Sequence, residues 1–309
     1  MTKLKIGITA GDMCGIGPEI IQKVVNLPGI KRLAELYVIG PKYFVEKLKK
    51  VRSIAIDNLK AKNLTVGQVN PKAGKAAVEY VEKAIELCLK KELDAMVTAP
   101  INKEAVHAAG ISFPGHTELL VDRTNTRKYA MAFYSKPLKI MLTTIHVSLR
   151  QVPGLLKKEK IIEKIQLANK FIKDLGIKKP RIAVAGLNPH AGEAGRFGQE
   201  EQEVIMPAVE EARQAGILVS GPFPGDTIFN RAVNGEFDLV LAHYHDQGLI
   251  PLKLLAFDSA VNVTVGLPII RTSVDHGTAF DIAGKNMANP NSLREAIKLA
   301  VLLAKNKKK

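Results

Sequence analysis

The sequence predicts an α/β architecture with a substantially parallel sheet covered by helices. Short β-branched runs alternate with longer amphipathic stretches along the whole chain. Motif-like pieces rich in glycine and histidine fall just after the expected strands, where open parallel sheets place their ligands. At 309 residues, with 46% hydrophobic and 24% charged, the chain is large enough for two domains or one large unit with a cleft.

The expected strands, in order, are LKIGIT, ELYVIG, DAMVTAP, YAMAFYS, LKIMLTTIHV, RIAVAGL, ILVSG, FDLVLAHY and AVNVTVGL, with a further one delivering Arg271 in IIRTS. Each is a short run of Val, Ile, Leu or aromatic residues that ends in glycine, proline or a polar cluster. Between many of them lie PEIIQKVVNL, GKAAVEYVEKAIELCLKKEL, EKIIEKIQLANKFIKDLG, EEQEVIMPAVEEARQAG and SLREAIKLAVLLAKNK, whose apolar residues recur at helical spacing. No repeat, low-complexity tract or long linker interrupts the pattern.

No apolar run is long enough to span a bilayer, and MTKLKIGITAG enters a strand without the pattern of a signal peptide, so a cytoplasmic location is expected and no membrane partner. Two cysteines, Cys14 and Cys88, are too few for a disulfide framework or a thiolate metal site. The formal charge of +15 raises the question of nucleic acid. Its lysines, however, are spread over helix surfaces and mixed with glutamates, tryptophan is absent, and no nucleic-acid motif is present. Attraction for anionic small substrates is the better account.

Five segments carry chemistry. In ITAGDMCGIGPEI the glycines at 11, 15 and 17 lack the dinucleotide spacing G-x-G-x-x-G, and the Walker lysine is missing; a close-approach loop before a helix N-terminus and a plain structural turn both fit. VTAPINKEAVHAAGISFPGHTELL offers Lys103 as a cation or general acid and base, and His116 and Thr117 at a helix start, where Thr117 can equally be a simple cap. TTIHVSLRQVP and GLNPHAGEAGRFGQEE each place one histidine, His146 and His190, just past a strand. LAHYHDQGLIP places His243 and His245 two apart, followed by Asp246. In a strand, such residues share a side, so both rings are expected to face one cleft, unless they are ordinary hydrogen-bonded strand-end histidines. With His245, the strand ends supply three imidazoles, the ligand count that leaves a divalent metal open to substrate. IIRTSVDHGTAFDIAGKNMANPNSLREAI is dense in polar groups and reads as a ligand-binding loop.

The ordered set GDMCGIGPE, VTAPINKEAV, PGHTE, NPHAGE, PGDT, YHDQG, VNVTVGLP and RTSVDHGTAFDIAG closely resembles the 4-hydroxythreonine-4-phosphate dehydrogenase family over about residues 5 to 300. The resemblance implies an isocitrate/isopropylmalate dehydrogenase-like fold, two α/β/α domains flanking a cleft, here residues 1–109 plus 285–309 and residues 110–284. The second domain is expected to carry the metal ligands and the interface of a homodimer whose active site is shared across it.

By the same resemblance the metal ligands are His146, His190 and His245, one supplied by the neighbouring subunit, with His243 incidental. Zinc, magnesium or cobalt is the implied metal. Substrate contacts match His116, Thr117, Lys253, Asn262 and Arg271, the two cations suiting a phosphate or carboxylate. Lys103 and Asp246 are the catalytic candidates, and Asp226 an orienting one. HGTAFDIAGKNMAN resembles the adenosine-holding loop of isopropylmalate dehydrogenases, pointing to His276, Ala279, Asp281 and Asn289. An acidic Asp281 favours NAD over NADP.

The implied reaction is oxidation of 4-phosphooxy-L-threonine to 2-amino-3-oxo-4-phosphooxybutanoate, which decarboxylates to 3-amino-2-oxopropyl phosphate. Dehydrogenases of 4-phosphothreonate, 4-phosphoerythronate or a dihydrodiol carboxylate carry much the same motifs, and phosphate acetyltransferases have a related fold. The family's usual GDPAGIGPE reads GDMCGIGPE here, with Met13 and Cys14 at the changed positions.

Overall fold

The structure is a computed structural model that describes residues 3–49, 51–113 and 115–308. The fold is mixed α/β, and the chain divides into two compact units, Met1–Arg127 with Leu267–Lys309, and Lys128–Gly266. The divisions fall at 127/128 and 266/267, inside the span 110–284 expected for the second domain. The helix His116–Arg123 packs on the long helix Pro71–Leu89 of the first unit, and the strand bearing Arg271 pairs within that unit.

The described strands are β1 (Lys5–Thr9), β2 (Glu35–Pro41), β3 (Arg52–Ile56), β4 (Ala95–Thr98), β5 (Ala130–Tyr134), β6 (Lys139–Leu142), β7 (Ile182–Ala185), β8 (Val219–Phe223), β9 (Leu239–Ala242), β10 (Val261–Val265) and β11 (Arg271–Val274). In the first unit the order is β3-β2-β1-β4-β11, all parallel. β1 lies between β2 and β4, so the chain leaves it toward one side and later returns to the other. This reversal opens a crevice beyond the strands' carboxyl ends. The loops after β1 and β4 meet there: the Asp12 N–H donates to the Pro100 carbonyl at 2.9 Å. Gly11 has φ +69°, and a Cβ on it would stand 2.4 Å from that same oxygen, so only glycine fits.

The helix Pro71–Leu89 covers this sheet with Ala73, Ala77, Tyr80, Val81 and Ala84, all fully buried. Asn70 caps it, its side chain accepting from the Lys72 and Ala73 N–H groups, and Pro71 suits the first helical turn. A Cβ on Gly74 would fall 2.3 Å from the Ala105 backbone, and this close contact seats the helix Lys103–Ala108. Asn102 caps that short helix through the Ala105 N–H at 2.8 Å.

In the second unit the order is β10-β5-β6-β9-β7-β8, antiparallel at β5 and parallel from β6 onward. Ile140, Leu142, Val240, Leu249 and Leu252 form its buried core with Phe133. Each such side chain contributes about 1.5–3 kcal/mol on burial. The carboxyl ends of the adjacent strands β6, β9 and β7 point the same way, and the three segments that follow carry His146, His245 and His190.

One expected element is replaced by another. FDLVLAHY reads as a strand through Tyr244, but β9 ends at Ala242 and a helix, His245–Ala256, begins three residues later. The two histidines therefore do not share a side. His243 is wholly buried, and His245 stands at a helix start. Among the described residues, no helix is long and apolar enough to cross a membrane.

Candidate active site

In the second unit, the rings of His146 and His245 lie with centroids 5.8 Å apart, brought together by the neighbouring ends of β6 and β9. His245 Nδ1 is 2.7 Å from Asp246 Oδ1. A proton on Nδ1 shared with that carboxylate leaves Nε2 with its lone pair outward, as a metal ligand requires. His190 is exposed on the turn after β7 and lines, with Asn188, Asp226, Tyr244, Asp246 and Gln247, a cavity of about 590 Å³. Its apolar wall includes Phe229, Ile250 and Leu254.

Among the described residues, no group of three or more His, Cys, Asp or Glu side chains is arranged to hold a metal. The chain thus pairs two of the three expected imidazoles and leaves His190 outside that pair. The donors nevertheless suit a borderline divalent cation: imidazole nitrogens, one of them oriented by a carboxylate, on an accessible edge.

His243 has another task. Its Nε2 is 2.8 Å from the Ala185 carbonyl on β7, and its Nδ1 is 3.3 Å from Thr143 Oγ1 beyond β6. Burial pushes its pKa down to about 4, so the neutral ring braces three strand ends. Gln247 completes the brace, accepting from the His243 N–H at 2.7 Å and donating to the Gly186 carbonyl at 2.6 Å.

Two expected substrate contacts belong to this unit. Lys253 lies on the helix His245–Ala256, with Nζ 5.3 Å from the Phe257 ring centroid, and Asn262 sits on β10 opposite Phe133.

In the first unit, Arg271 opens β11, 3% exposed, with Nη2 2.8 Å and Nε 3.2 Å from Thr98 Oγ1. Burial pushes its pKa down to about 9, opposed by the Glu118 carboxylate. His116 begins the helix His116–Arg123. Its Nε2 is buried and finds no hydrogen-bond partner among the described residues. Burial, then the charges of Arg271 and Lys103, hold the ring far below the usual histidine range, so it is neutral. Thr117 is buried beside it, and Pro114 of the expected turn lies outside the described residues. The Arg271 guanidinium is thus desolvated, and near it His116 holds a buried imidazole nitrogen with no hydrogen-bond partner among the described residues.

Asp12 is the residue that motif reading left out. It is fully buried, its Oδ1 accepts the Cys14 N–H at 2.8 Å, and its Oδ2 has no hydrogen-bond partner among the described residues. Burial pushes its pKa up to about 6. The aspartate of GDMCG was visible in the sequence, but nothing in the sequence told that it is buried. The thiol of Cys14 is likewise buried and pushed up to about 11, which makes it inert.

The loop after β11 packs on the loop after β1. The Ile16 N–H donates to the Thr278 carbonyl at 3.0 Å, and a Cβ on Gly15 would meet Thr278 Cβ at 2.8 Å. Of the expected cofactor residues, His276 and Asp281 are exposed, and Ala279 adopts φ +42°. Asn289 uses its side-chain oxygen to accept the Asn291 N–H at the start of the helix Asn291–Lys307. A cavity of about 740 Å³ lies alongside, walled by Met13, Phe44 and Val66 and edged by Glu19, Gln22 and Asn286.

The polar loops that follow the carboxyl ends of parallel strands in each unit are the arrangement of an α/β enzyme. The chain belongs to the family of the pyridoxal phosphate biosynthetic protein PdxA, whose model matches residues 18–300. It is 45% identical to a 4-hydroxythreonine-4-phosphate dehydrogenase of Desulforapulum autotrophicum, over 97% of this chain and 95% of that one. It is 44% identical to a putative D-threonate 4-phosphate dehydrogenase of Oceanobacillus iheyensis, over 98% of each. The crystal structure of 4-hydroxythreonine-4-phosphate dehydrogenase from Klebsiella pneumoniae matches with a TM-score of 0.90 at 41% identity, covering 98% of both chains.

Proposed function

We propose that this chain is a metal- and NAD-dependent dehydrogenase that oxidises 4-phosphooxy-L-threonine to 2-amino-3-oxo-4-phosphooxybutanoate, which loses carbon dioxide to give 3-amino-2-oxopropyl phosphate. The observation that carries the reading is the delivery of His146, His245 and His190 by three adjacent parallel strand ends, with two of the rings 5.8 Å apart. The fold is read as isocitrate/isopropylmalate dehydrogenase-like.

Arg271 presents its guanidinium, and His116 a neutral ring, to a phosphate or carboxylate of the substrate; Thr117 flanks them. The guanidinium and the ring's Nε2 are already buried, so these atoms lose little solvation on binding. Lys253 and Asn262 are further substrate contacts. A divalent cation on the imidazole edge, zinc, magnesium or cobalt, would supply Lewis acidity at the alcohol and at the ketone during decarboxylation, with NAD as hydride acceptor. Asp246 orients His245, because its Oδ1 is engaged by Nδ1 of that ring. Lys103, beside the His116 helix start, is the candidate that takes the hydroxyl proton. His276, Ala279, Asp281 and Asn289 hold the cofactor, with Asp281 favouring the free ribose 2′-hydroxyl of NAD over NADP.

The enzyme works as a homodimer that completes the ligand set across its interface. The helix His245–Ala256 and the residue after it expose Ile250, Leu254, Leu255 and Phe257, an apolar face directly continuous with the metal edge. The second reading, oxidation of D-threonate 4-phosphate, is favoured by the near-equal identity to the Oceanobacillus iheyensis relative. Following NADH absorbance with 4-phosphooxy-L-threonine, 4-phosphothreonate and 4-phosphoerythronate, with metal supplied or chelated, tests both. No metal-dependent NADH formation with any of them would refute the proposal.

A further inference from the structure

The turn that carries His190 has an unusual backbone. His190, Ala191, Glu193 and Ala194 have φ of +53°, +53°, +42° and +54°, and the glycines at 192 and 195 have +82° and +92°. Six consecutive residues thus wind in the left-handed sense, which L residues with a Cβ disfavour. Such a conformation persists only where its surroundings over-determine it.

Glu201 supplies that surrounding. It is 2% exposed, at the start of a π-helical turn, Glu201–Ile205, that leads into the helix Met206–Gln214. Its Oε1 accepts the N–H groups of Leu187 at 2.7 Å and Asn188 at 2.8 Å, the two residues that lead into the turn. Its Oε2 accepts from Asn188 Nδ2 at 2.9 Å. The turn also rests on the carboxylate by shape. A Cβ on Gly192 would stand 2.7 Å from Oε2, and one on Gly186 would stand 3.3 Å from Oε1 and 2.8 Å from Ala191 Cα. One side chain therefore holds the entrance of the turn by hydrogen bonds and its middle by contact.

We infer that Glu201 is the positioning residue of the His190 turn: it fixes the backbone that aims this imidazole and so sets how tightly the strand-end edge holds a divalent cation. The inference rests on the proposed role of His190 as a ligand. Glu201 itself is buried under the turn and is not a ligand.

Cobalt(II) is the probe, because its visible absorption reports ligand number and geometry while titration gives affinity. The full chain is compared as wild type, His190→Ala, Glu201→Gln and Glu201→Ala, with the thermal unfolding midpoint measured on each. Glu201→Ala is expected to weaken cobalt binding about 10- to 100-fold, in the range for lost ligand-supporting groups, and to change the spectrum. Glu201→Gln keeps an oxygen for Leu187 and Asn188 but turns an NH2 toward Asn188 Nδ2. It should lose about 10-fold or less, and it decides the matter if the alanine variant does not fold. A folded Glu201 variant with a lowered unfolding midpoint but wild-type cobalt affinity and spectrum would show a merely structural role and overturn the inference, while a weakened His190→Ala leaves the ligand reading intact. His190→Ala binding cobalt as wild type does would remove the ligand reading, and this inference with it.

Discussion

The strand ends of the two units handle ligand chemistry in opposite ways. In the first unit the polar atoms are buried before anything binds: Arg271 is 3% exposed, and the buried Nε2 of His116 has no hydrogen-bond partner among the described residues. In the second unit His146 and His190 are exposed, and among the three histidines the described ring pair is that of His146 and His245. The difference fits the ligand that each is proposed to serve. An anion is recognised by fixed donors whose desolvation is met during folding, so rigidity raises affinity. A cation needs lone pairs it can reach, and an edge open to solvent and to a second subunit leaves room for both metal and substrate.

The comparison is broken most directly at His190. Replacing it with alanine should reduce metal affinity, and with it metal-dependent NADH formation, by more than about a hundredfold, since loss of a mere supporting partner costs 10–100-fold. The ring is exposed, so the unfolding midpoint should stay near that of the wild type. Unchanged turnover would mean that the exposed edge is not a metal site.

The buried groups of the first unit are tested at Arg271. A lysine there retains charge but loses the planar fork that reaches Thr98 Oγ1 twice. We expect kcat/KM to fall by roughly 10- to 100-fold, about 1.5–3 kcal/mol, mostly through KM. A fall in kcat with KM unchanged would place Arg271 at the transition state rather than in binding.

Much of this contrast was legible in the sequence, and its gaps have physical causes. The apolar runs before His146 and His190 located these residues just past strands, because buried parallel strands leave a continuous apolar signature, whereas Arg271 opens its strand. The strand Arg52–Ile56 was missed because it lies at the end of the strand order, with two exposed residues at its start. His245 was misread because LVLAHY continues the apolar run without a break and Pro251 sits inside the helix that follows, where proline argues against one. That helix forms because Gly248 allows close approach to β6: a Cβ there would meet Ile140 Cδ1 at 2.7 Å. The burial of Asp12 and Glu201 has no local signature at all, since each depends on loops brought together by the fold.

The smallest expected effect concerns Asp12 and sharpens the contrast from the side of stability. Its folded pKa, about 6, lies above the value of 3.8 for a free side chain. The folded state therefore binds the proton more tightly than the unfolded chain does. Its favourable contribution is fully present below the unfolded pKa and is lost as pH rises through the folded one. At about 1.4 kcal/mol per pKa unit, roughly 2–3 kcal/mol should disappear between about pH 4 and pH 7. Asp12→Asn cannot ionise, so urea unfolding at the two pH values should show a smaller loss of stability in the variant by that amount, all other groups being common to both. Parallel pH dependence in the two proteins would mean that the buried oxygen acquires a partner in solution.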